Sequence, residues 1–216
     1  MEFFPAPWNL NGKGYIFLYK FDKDFIKKNA NVPAYLENKF AGGLGSVMLV
    51  DYASSNAGPY GELLFIPGKF NHQGKKLNTI SKIYVSTMKS VVNGKKNWGI
   101  KKEQADFKFK AIHKNKERIR ISVAGTTAAD ITLSSFGPSF PITTRFLPFP
   151  LVQEQNGKYY YTRFFGNGKG RLAKIDTIKI NGDLFPDISG IKPIAVIKAE
   201  PFAITFPIAR VSRHDR

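Results

Sequence analysis

The stretch Lys82–Phe107, KIYVSTMKSVVNGKKNWGIKKEQADF, passes through three backbone patterns in succession, and the rest of the chain can be placed around it. It opens with apolar residues alternating with more polar ones over positions 82–87, which predicts a strand. Ser86 and Thr87 are residue types that cap helix N-termini, so a short helix is predicted to follow. Gly94 favours the end of that helix.

Two lysines, Lys101 and Lys102, lie at a predicted bend between Trp98 and a second strand, Asp106–His113, which alternates between apolar and polar residues. A lysine held against apolar surface and close to another cation loses proton affinity, because desolvation and like charge both penalise the ammonium form. The neutral amine is then a nucleophile towards a ketone. The chain has 33 lysines and arginines in 216 residues. Adjacent lysines therefore also arise by chance, and the spacing alone assigns no role.

Length and composition indicate a folded globular chain. The 216 residues fit one domain over residues 1–216, and a hydrophobic content of 43% is enough for a sizeable core. The chain has no cysteine, its three histidines are far apart, and no cofactor motif is present. We therefore expect neither a metal nor a cofactor. No signal-peptide pattern and no membrane-spanning apolar run are visible, so a cytoplasmic protein without a membrane partner is expected.

The net charge of +17 raises the question of an anionic partner. Lysine pairs such as Lys27-Lys28, Lys75-Lys76 and Lys95-Lys96 are dispersed along the chain, and no arginine-rich stripe or known nucleic-acid-binding motif is present. Nucleic acid is therefore not the expected partner. A basic field also favours anionic small molecules such as keto acids.

Roughly ten short strand patterns and two or three short helices predict a β-dominated α+β fold, built as a closed or nearly closed antiparallel β-barrel. Asn156-Gly157 predicts a tight hairpin, and the segment 166–170 (GNGKG) is interpreted as another turn. The prolines of residues 138–150 argue against a central strand there. The residues expected to line the interior are Leu63, Phe65, Ile83, Val85, Phe107 and Phe109.

Two segments resemble motifs of the acetoacetate decarboxylase-like superfamily. NWGIKKE (97–103) resembles its W-G-(I/F)-P-K-(K/E) segment, most of all in members with NWGIPKE. VDYASSNAGPYGELLFIPG (50–68) resembles its Y-x-x-S-x-x-G-P-Y-x-E-L-L-x-x-P-G segment. Weaker likenesses follow in the same order, so that nearly the whole chain is covered: FGPSFPITTRFLPFP, GKGRLAKI, LFPDISG and AITFPIA.

The resemblance implies the barrel of that superfamily, a site inside an apolar cavity, and a homo-oligomer. It also implies that Lys102 forms a Schiff base with a small keto acid and that Glu62 shapes the same cavity. The iminium ion would then accept electrons as carbon dioxide leaves. Lys102, not Lys101, is the expected site of the covalent adduct. The expected substrate-binding residues are two from the matching motifs and two basic ones: Tyr60, Trp98, Lys20 and Lys101.

Two of the four implied site positions depart from the decarboxylase pattern. Lys20 stands in place of an arginine and lacks the planar fork that binds a carboxylate bidentately. Glu103 stands in place of a second lysine, while Lys101 replaces a proline and could take over the cationic role.

Three functions therefore stay open. A Schiff-base lyase, acting either as a decarboxylase or as an aldolase-dehydratase, needs Lys102 buried in a cavity with Glu62. A non-catalytic small-ligand-binding β-barrel needs the cavity but leaves Lys102 outside it or in an ion pair. A nucleic-acid-binding protein needs a contiguous positive face.

Overall fold

The computed structural model describes residues 2–146 and 148–213, which form two β-sheets, two α-helices and one short 3-10 helix. The strands are, in chain order, β1 (Trp8–Tyr19), β2 (Phe40–Gly42), β3 (Gly45–Ser54), β4 (Tyr60–Ile66), β5 (Lys69–His72), β6 (Lys75–Asn78), β7 (Lys82–Val85), β8 (Glu103–Gln104), β9 (Asp106–His113), β10 (Lys116–Val123), β11 (Thr126–Thr143), β12 (Leu151–Gln155), β13 (Lys158–Thr162), β14 (Phe165–Ile180), β15 (Ala195–Phe206) and β16 (Arg210–Arg213). The helices are α1 (Lys23–Asn29), α2 (Met88–Trp98) and the 3-10 turn Ala34–Leu36. The prediction of a β-dominated fold with a few short helices is confirmed.

The larger sheet has ten strands in the order β8-β7-β4-β3-β1-β15-β14-β11-β10-β9, and the smaller has six in the order β16-β13-β12-β6-β5-β2. The pairs in the larger sheet are antiparallel except β7 with β8. This sheet curls until the ring of Phe107 on β9 lies against Gly61 on β4, where an added Cβ would be 2.8 Å from the ring. Within the described residues its two edge strands do not pair with each other. The closed barrel is therefore not confirmed, and a curled open sheet stands in its place.

Strand β4 is buried along its whole length, because both faces of the curled sheet are covered. Leu63 and Phe65 belong to a first core inside the curl, while Leu64 and Ile66 belong to a second core on the opposite face. Successive side chains of a strand point to opposite faces, so a central strand supplies both cores. The second core continues into Trp98, which ends α2, and this is where the candidate site lies.

The six residues expected in the interior divide between these two cores. Four of them, on β4 and β7, have side chains that are 2% exposed or less. Phe107 and Phe109 are half-buried and pack against the first core. Ile83 and Val85, however, belong to the second core. The burial expected from alternation is therefore largely confirmed, but these residues lie in two separate cores and do not line one interior.

Two local predictions are wrong, each because of contacts made elsewhere in the fold. Gly94 does not end α2, which continues to Trp98 and is capped by Gly99 in the left-handed conformation (φ 66°). The prolines agree with the prediction of no central strand, because β11 runs through Pro141 where β10 has ended and β14 is its one sheet partner among the described strands. The GNGKG segment lies within β14, where a Cβ on Gly166 would collide with a carbonyl of β15.

Another local prediction is confirmed. The hairpin between β12 and β13 turns at Asn156 and Gly157, whose φ angles are 52° and 68°, as a tight hairpin of this type requires. Helix α1 starts after Asp22, whose carboxylate caps it by accepting the N–H of Phe25 at 2.7 Å. In the part of the chain that the structure describes, neither α-helix has the length and apolar character needed to cross a membrane.

Candidate active site

A lysine and a glutamate from the two matching motifs form an ion pair inside the protein. Nζ of Lys102 lies 2.9 Å from Oε2 of Glu62, and both side chains are only 5% exposed. The same amine donates a hydrogen bond to the hydroxyl of Ser90 at 3.1 Å and lies 5.3 Å from the ring centroid of Tyr60. The expectation that Lys102 and Glu62 share one location is therefore met geometrically.

Helix α2 positions Lys102 through its first and last turns. Thr87 accepts the N–H of Ser90 and so caps the helix, which fixes Ser90 on the turn facing the lysine. At the other end Gly99 reverses the chain, and Lys102 runs back along the helix. Its side chain passes so close to Gly94 that an added Cβ would lie 2.6 Å from Cε. Gly94 therefore makes room for the lysine instead of ending the helix.

Strand β4 positions Glu62 on the second-core face. Val50 on β3 and Val85 on β7 are its cross-strand neighbours, so its carboxylate stands between apolar side chains. The hydroxyl of Tyr52 donates to Oε1 at 3.1 Å, which leaves Oε2 for Lys102. A buried carboxylate needs such donors, because an unpaired charge away from water is strongly unfavourable.

Two tyrosines enclose the ion pair and remain neutral. Burial raises the pKa of both Tyr52 and Tyr60 well above 10.0, and the negative charge of Glu62 raises each further. Their rings are 4.8 Å apart, centroid to centroid. Each therefore presents an uncharged hydroxyl beside a carboxylate, and Tyr60 also presents its ring face to the ammonium group.

An apolar cavity of about 290 Å³ opens beside the pair. Its floor is the second-core face of β1, β3 and β4, and its walls come from residues 141–144, Phe146, Phe149 and the neighbourhood of Phe164. Glu62 lines this cavity and also a space of about 20 Å³ that reaches Lys102 and Trp98. Lys102 itself lines only the smaller space, so the carboxylate stands between the amine and the larger cavity.

Trp98 and Tyr60 lie where the resemblance implies, beside Lys102. Trp98 is 3% exposed, and its indole N–H donates to the carbonyl of Pro207 at 2.8 Å. Its ring meets Trp8 edge to face at 5.2 Å. The tryptophan of the motif thus fixes the end of α2 against the second core and supports the bend that carries Lys102.

The two other predicted substrate-binding residues do not enter the site. Lys101 is 68% exposed and lies 3.8 Å from Glu154, because adjacent residues at the bend point in opposite directions. Lys20 is exposed, one residue beyond the end of β1. Glu103 also points away from the site and pairs with Lys82 at 2.7 Å. Neither departure from the decarboxylase motif therefore brings a charge to the cavity.

Three contributing residues were not identified from the sequence. Tyr52 bonds Glu62 across the paired strands β3 and β4 and is the first tyrosine of the motif in residues 50–68, which is the signal that could have identified it. Ser90 bonds Lys102 from the first turn of α2, and no spacing rule predicts that contact. Gly94 carried a signal, since glycine inside a helix is unfavourable by about 1 kcal/mol relative to alanine and a close contact is one reason to keep it.

The outer face of β9 and β10 is rich in basic side chains. Lys108 and Lys110 on β9 lie opposite Arg120 and Arg118 on β10, so the outer face there is basic. Both arginines, however, form ion pairs with Asp130. Among the described residues no three histidine or acidic side chains are placed to hold a metal ion.

The fold is similar to that of several solved enzymes. The chain matches acetoacetate decarboxylase from Legionella pneumophila subsp. pneumophila str. Philadelphia 1 with a TM-score of 0.71 and 12% identity, over 96% of this chain and 88% of that one. It matches an acetoacetate decarboxylase-like enzyme from Sphingomonas wittichii RW1 with a TM-score of 0.67 and 12% identity, over 96% and 93% of the two chains. The enduracididine biosynthesis enzyme MppR matches with a TM-score of 0.66 and 13% identity, over 99% and 90%.

MppR has also been solved in complex with pyruvate. No protein-family model matches the sequence, and a search of curated proteins gives no match. At these identities the solved structures establish the fold alone, and it is the fold that the resemblance of the two motifs implied.

Proposed function

We propose that this chain, which has the acetoacetate decarboxylase-like fold, is a carbon–carbon lyase that forms a Schiff base between Lys102 and a ketone or keto acid. The observation that carries the proposal is the buried Lys102–Glu62 pair, at 2.9 Å, next to an apolar cavity. A buried ion pair is costly to form and is seldom retained for stability alone. A reactive amine with a proton acceptor at hydrogen-bond distance is what imine chemistry requires.

The reaction begins when the ammonium group of Lys102 transfers a proton to Glu62, which removes both charges from the low-dielectric site. The amine then attacks the carbonyl carbon, and the carbonyl oxygen leaves as water after taking one proton from the amine and one from Glu62. This yields a cationic iminium and returns Glu62 to a carboxylate. The carbon next to the iminium then loses a proton to Glu62, or releases carbon dioxide or a carbonyl fragment, and the electron pair of the broken bond moves towards the iminium nitrogen to form a neutral enamine. Protonation of that carbon and addition of water release the product and restore the lysine.

The surroundings of the pair favour proton transfer and aldol-type chemistry at the adjacent carbon over decarboxylation. A substrate carboxylate needs a cation, because a desolvated anion without a partner is strongly unfavourable. Lys20 and Lys101 lie outside the cavity, and Glu62 is the one described lining residue of the larger cavity with a full charge. Glu62 is well placed to accept a proton from the carbon next to the iminium.

The proposal is tested by hydrogen exchange at that carbon. In D₂O, wild-type protein should catalyse exchange of the methyl hydrogens of pyruvate or of simple methyl ketones faster than buffer alone does. Proton NMR measures the exchange. Lys102→Arg should lose this exchange, while Lys101→Arg, at the neighbouring exposed position, should keep it. Equal exchange in wild type and Lys102→Arg, or no exchange by folded wild-type protein across the panel, would overturn the proposal.

A non-catalytic ligand-binding barrel is the second candidate, and one observation favours it. Lys102 is held in an ion pair and lines only the smaller space, so Glu62 must turn aside before the amine reaches a ligand in the larger cavity. A protein of this kind would bind ketones without exchange and without a covalent product.

A further inference from the structure

We propose that the substrate of this site carries a hydrocarbon tail of several carbons that fills the larger cavity, with its carbonyl group at the Glu62 end. This inference rests on the proposed function and specifies the class of substrate. The proposed substrate is a carbonyl compound with an apolar chain, whereas the sequence motifs imply a small keto acid.

The lining of the cavity is chemically uniform. Apart from Glu62, its described side chains carry no full charge, and most are aliphatic or aromatic. The members on the strand floor are Ile16, Leu18, Met48, Val50, Leu64, Ile66 and Ile197. Such a surface stabilises methylene groups by removing them from water, and it offers no cation to a carboxylate.

The volume also exceeds what a small keto acid needs. The 290 Å³ of the cavity is about ten times the ~30 Å³ that one water molecule occupies in the liquid. An apolar space of that size is poorly filled by a compact, charged ligand. Each methylene group transferred from water into such a space contributes about 0.8 kcal/mol, or roughly a fourfold gain in affinity at 25 °C.

The register of the floor gives the tail a direction. Glu62, Val50 and Gly14 are neighbours across β4, β3 and β1, and the next row in the same face is Leu64, Met48 and Ile16. A third row brings Leu18 and Ile66 into the lining. On the side away from Tyr52, a carbonyl group beside Glu62 therefore has two further rows of apolar floor. Because strand rows on one face are about 7 Å apart, this is room for an extended chain.

The entrance does not select an anion either. An open groove of about 1090 Å³ adjoins the cavity and shares residues 141–143, Phe146 and Phe202 with it. Its charged lining consists of two cations and two anions: Lys13, Lys169, Asp51 and Glu200. These balance, so the strongly positive net charge of the whole chain is not expressed at the mouth.

The test combines calorimetric binding with borohydride trapping for a series of methyl ketones of increasing chain length, with pyruvate included. Binding should tighten by up to about fourfold for each added methylene until the cavity is full. After reduction with borohydride, the mass of the protein reports the covalent adduct. The adduct should form at lower ketone concentrations as the hydrocarbon chain of the ketone lengthens. Pyruvate should be trapped less readily than the longer ketones.

Cavity-filling variants locate the tail. Ile16→Phe on β1 narrows the floor one row from Glu62 and should shift the preferred chain to a shorter one. Ile197→Phe, opposite Ile16 on β15, provides a second variant in case the first does not fold. Ile112→Phe makes the same substitution at a site that is 40% exposed and outside the cavity lining, and it should change nothing.

The outcomes separate this inference from the proposed function. Trapping that is equal for all chain lengths, or strongest for pyruvate, overturns the apolar tail while the Schiff base stands. Binding that depends on chain length, without any adduct, supports the apolar occupant and overturns the lyase. An unchanged chain preference in both folded cavity variants would show that the tail lies elsewhere and would overturn the inference.

Discussion

Two largely buried lysine–glutamate ion pairs involve residues of the larger sheet, and they differ in what surrounds them. Lys102 and Glu62 are 2.9 Å apart and 5% exposed, and a cavity adjoins them. Lys198 and Glu117 are 3.3 Å apart and 12–13% exposed, but Lys198 also pairs at 2.8 Å with Glu200, which is 48% exposed. The hydroxyl of Tyr15 donates to Glu117 at 2.7 Å.

The second pair is a stable charged network, because one amine is shared by two carboxylates and reaches solvent through one of them. Burial lowers the pKa of Lys198, but the carboxylates of Glu200 and Glu117 raise it more, so the net shift is upward. That amine stays protonated and is a poor nucleophile. Among the described residues Lys102 has a single carboxylate partner, and that carboxylate is only 5% exposed and lines the cavity. Burial of a lysine thus identifies a candidate nucleophile only when its partners leave it able to lose a proton.

The largest expected difference between the two pairs is in exchange activity. Glu62→Gln should lower the rate of methyl hydrogen exchange by roughly 10²- to 10⁴-fold, because the amide cannot accept the proton. Glu117→Gln should leave the rate unchanged. The measurement is proton NMR in D₂O with a saturating ketone. If the two variants lost activity equally, the distinction between the pairs would fail.

The next difference is in stability. Lys102→Met leaves Glu62 buried with one remaining donor, and we expect a loss of about 3–5 kcal/mol in the free energy of unfolding. Lys198→Met leaves Glu117 bonded to Tyr15 near solvent, and we expect about 1 kcal/mol. Urea denaturation of both variants and wild type gives the comparison. Equal losses would mean that Glu62 is as well solvated as Glu117.

A smaller effect is expected from Gly94→Ala. The new methyl group would meet the flexible end of Lys102, so the amine should move while the helix keeps or gains stability. Exchange should fall roughly 10- to 100-fold, as it does when a reacting group is misplaced by about 1 Å. Gly190→Ala is the control, because nothing lies within 4 Å of a Cβ there. A parallel loss of folding stability and activity would instead indicate general damage.

The smallest expected effect is the pH dependence of the second pair. Although burial lowers the pKa of Lys198, the carboxylates of Glu200 and Glu117 raise it in the folded protein above the ordinary lysine value of 10.5. Its contribution to stability is therefore fully present below pH 10.5 and is lost as pH rises through the folded pKa. The stability difference between wild type and Lys198→Met should therefore shrink in strongly alkaline solution. Buried tyrosines away from this pair, such as Tyr52 and Tyr60, weaken both proteins alike in that range. A difference that grew with pH would contradict the assigned sign.

The fold class could be predicted because alternation and turn residues are local signals. Strand β9 has the predicted bounds, and Asn156-Gly157 forms the predicted turn. Closure of the sheet could not be predicted, since it depends on whether two edge strands distant in space meet. The glycines of GNGKG were misassigned because their reason is a close approach to β15, which only the folded chain displays.

The residues of the candidate site could be predicted only where they lie within the two motifs. Lys102 and Glu62 are 40 residues apart, and no spacing rule brings them together without the resemblance. Lys20 was expected in the site because it stands in place of the decarboxylases' arginine, but it is exposed, one residue beyond the end of β1. Ser90 was not identified because its contact to Lys102 crosses between segments.

The most direct test of whether Lys102 is the reactive amine is to reduce the protein with borohydride in the presence of pyruvate, several β-keto acids and methyl ketones, and to map the modified peptide by mass spectrometry. Lys101 and Lys198 serve as internal comparisons in the same sample, one exposed beside the site and one within the second pair. We predict a single reduced adduct on Lys102. An adduct on Lys101 or Lys198, or none on any lysine of the folded protein across the panel, would contradict the assignment.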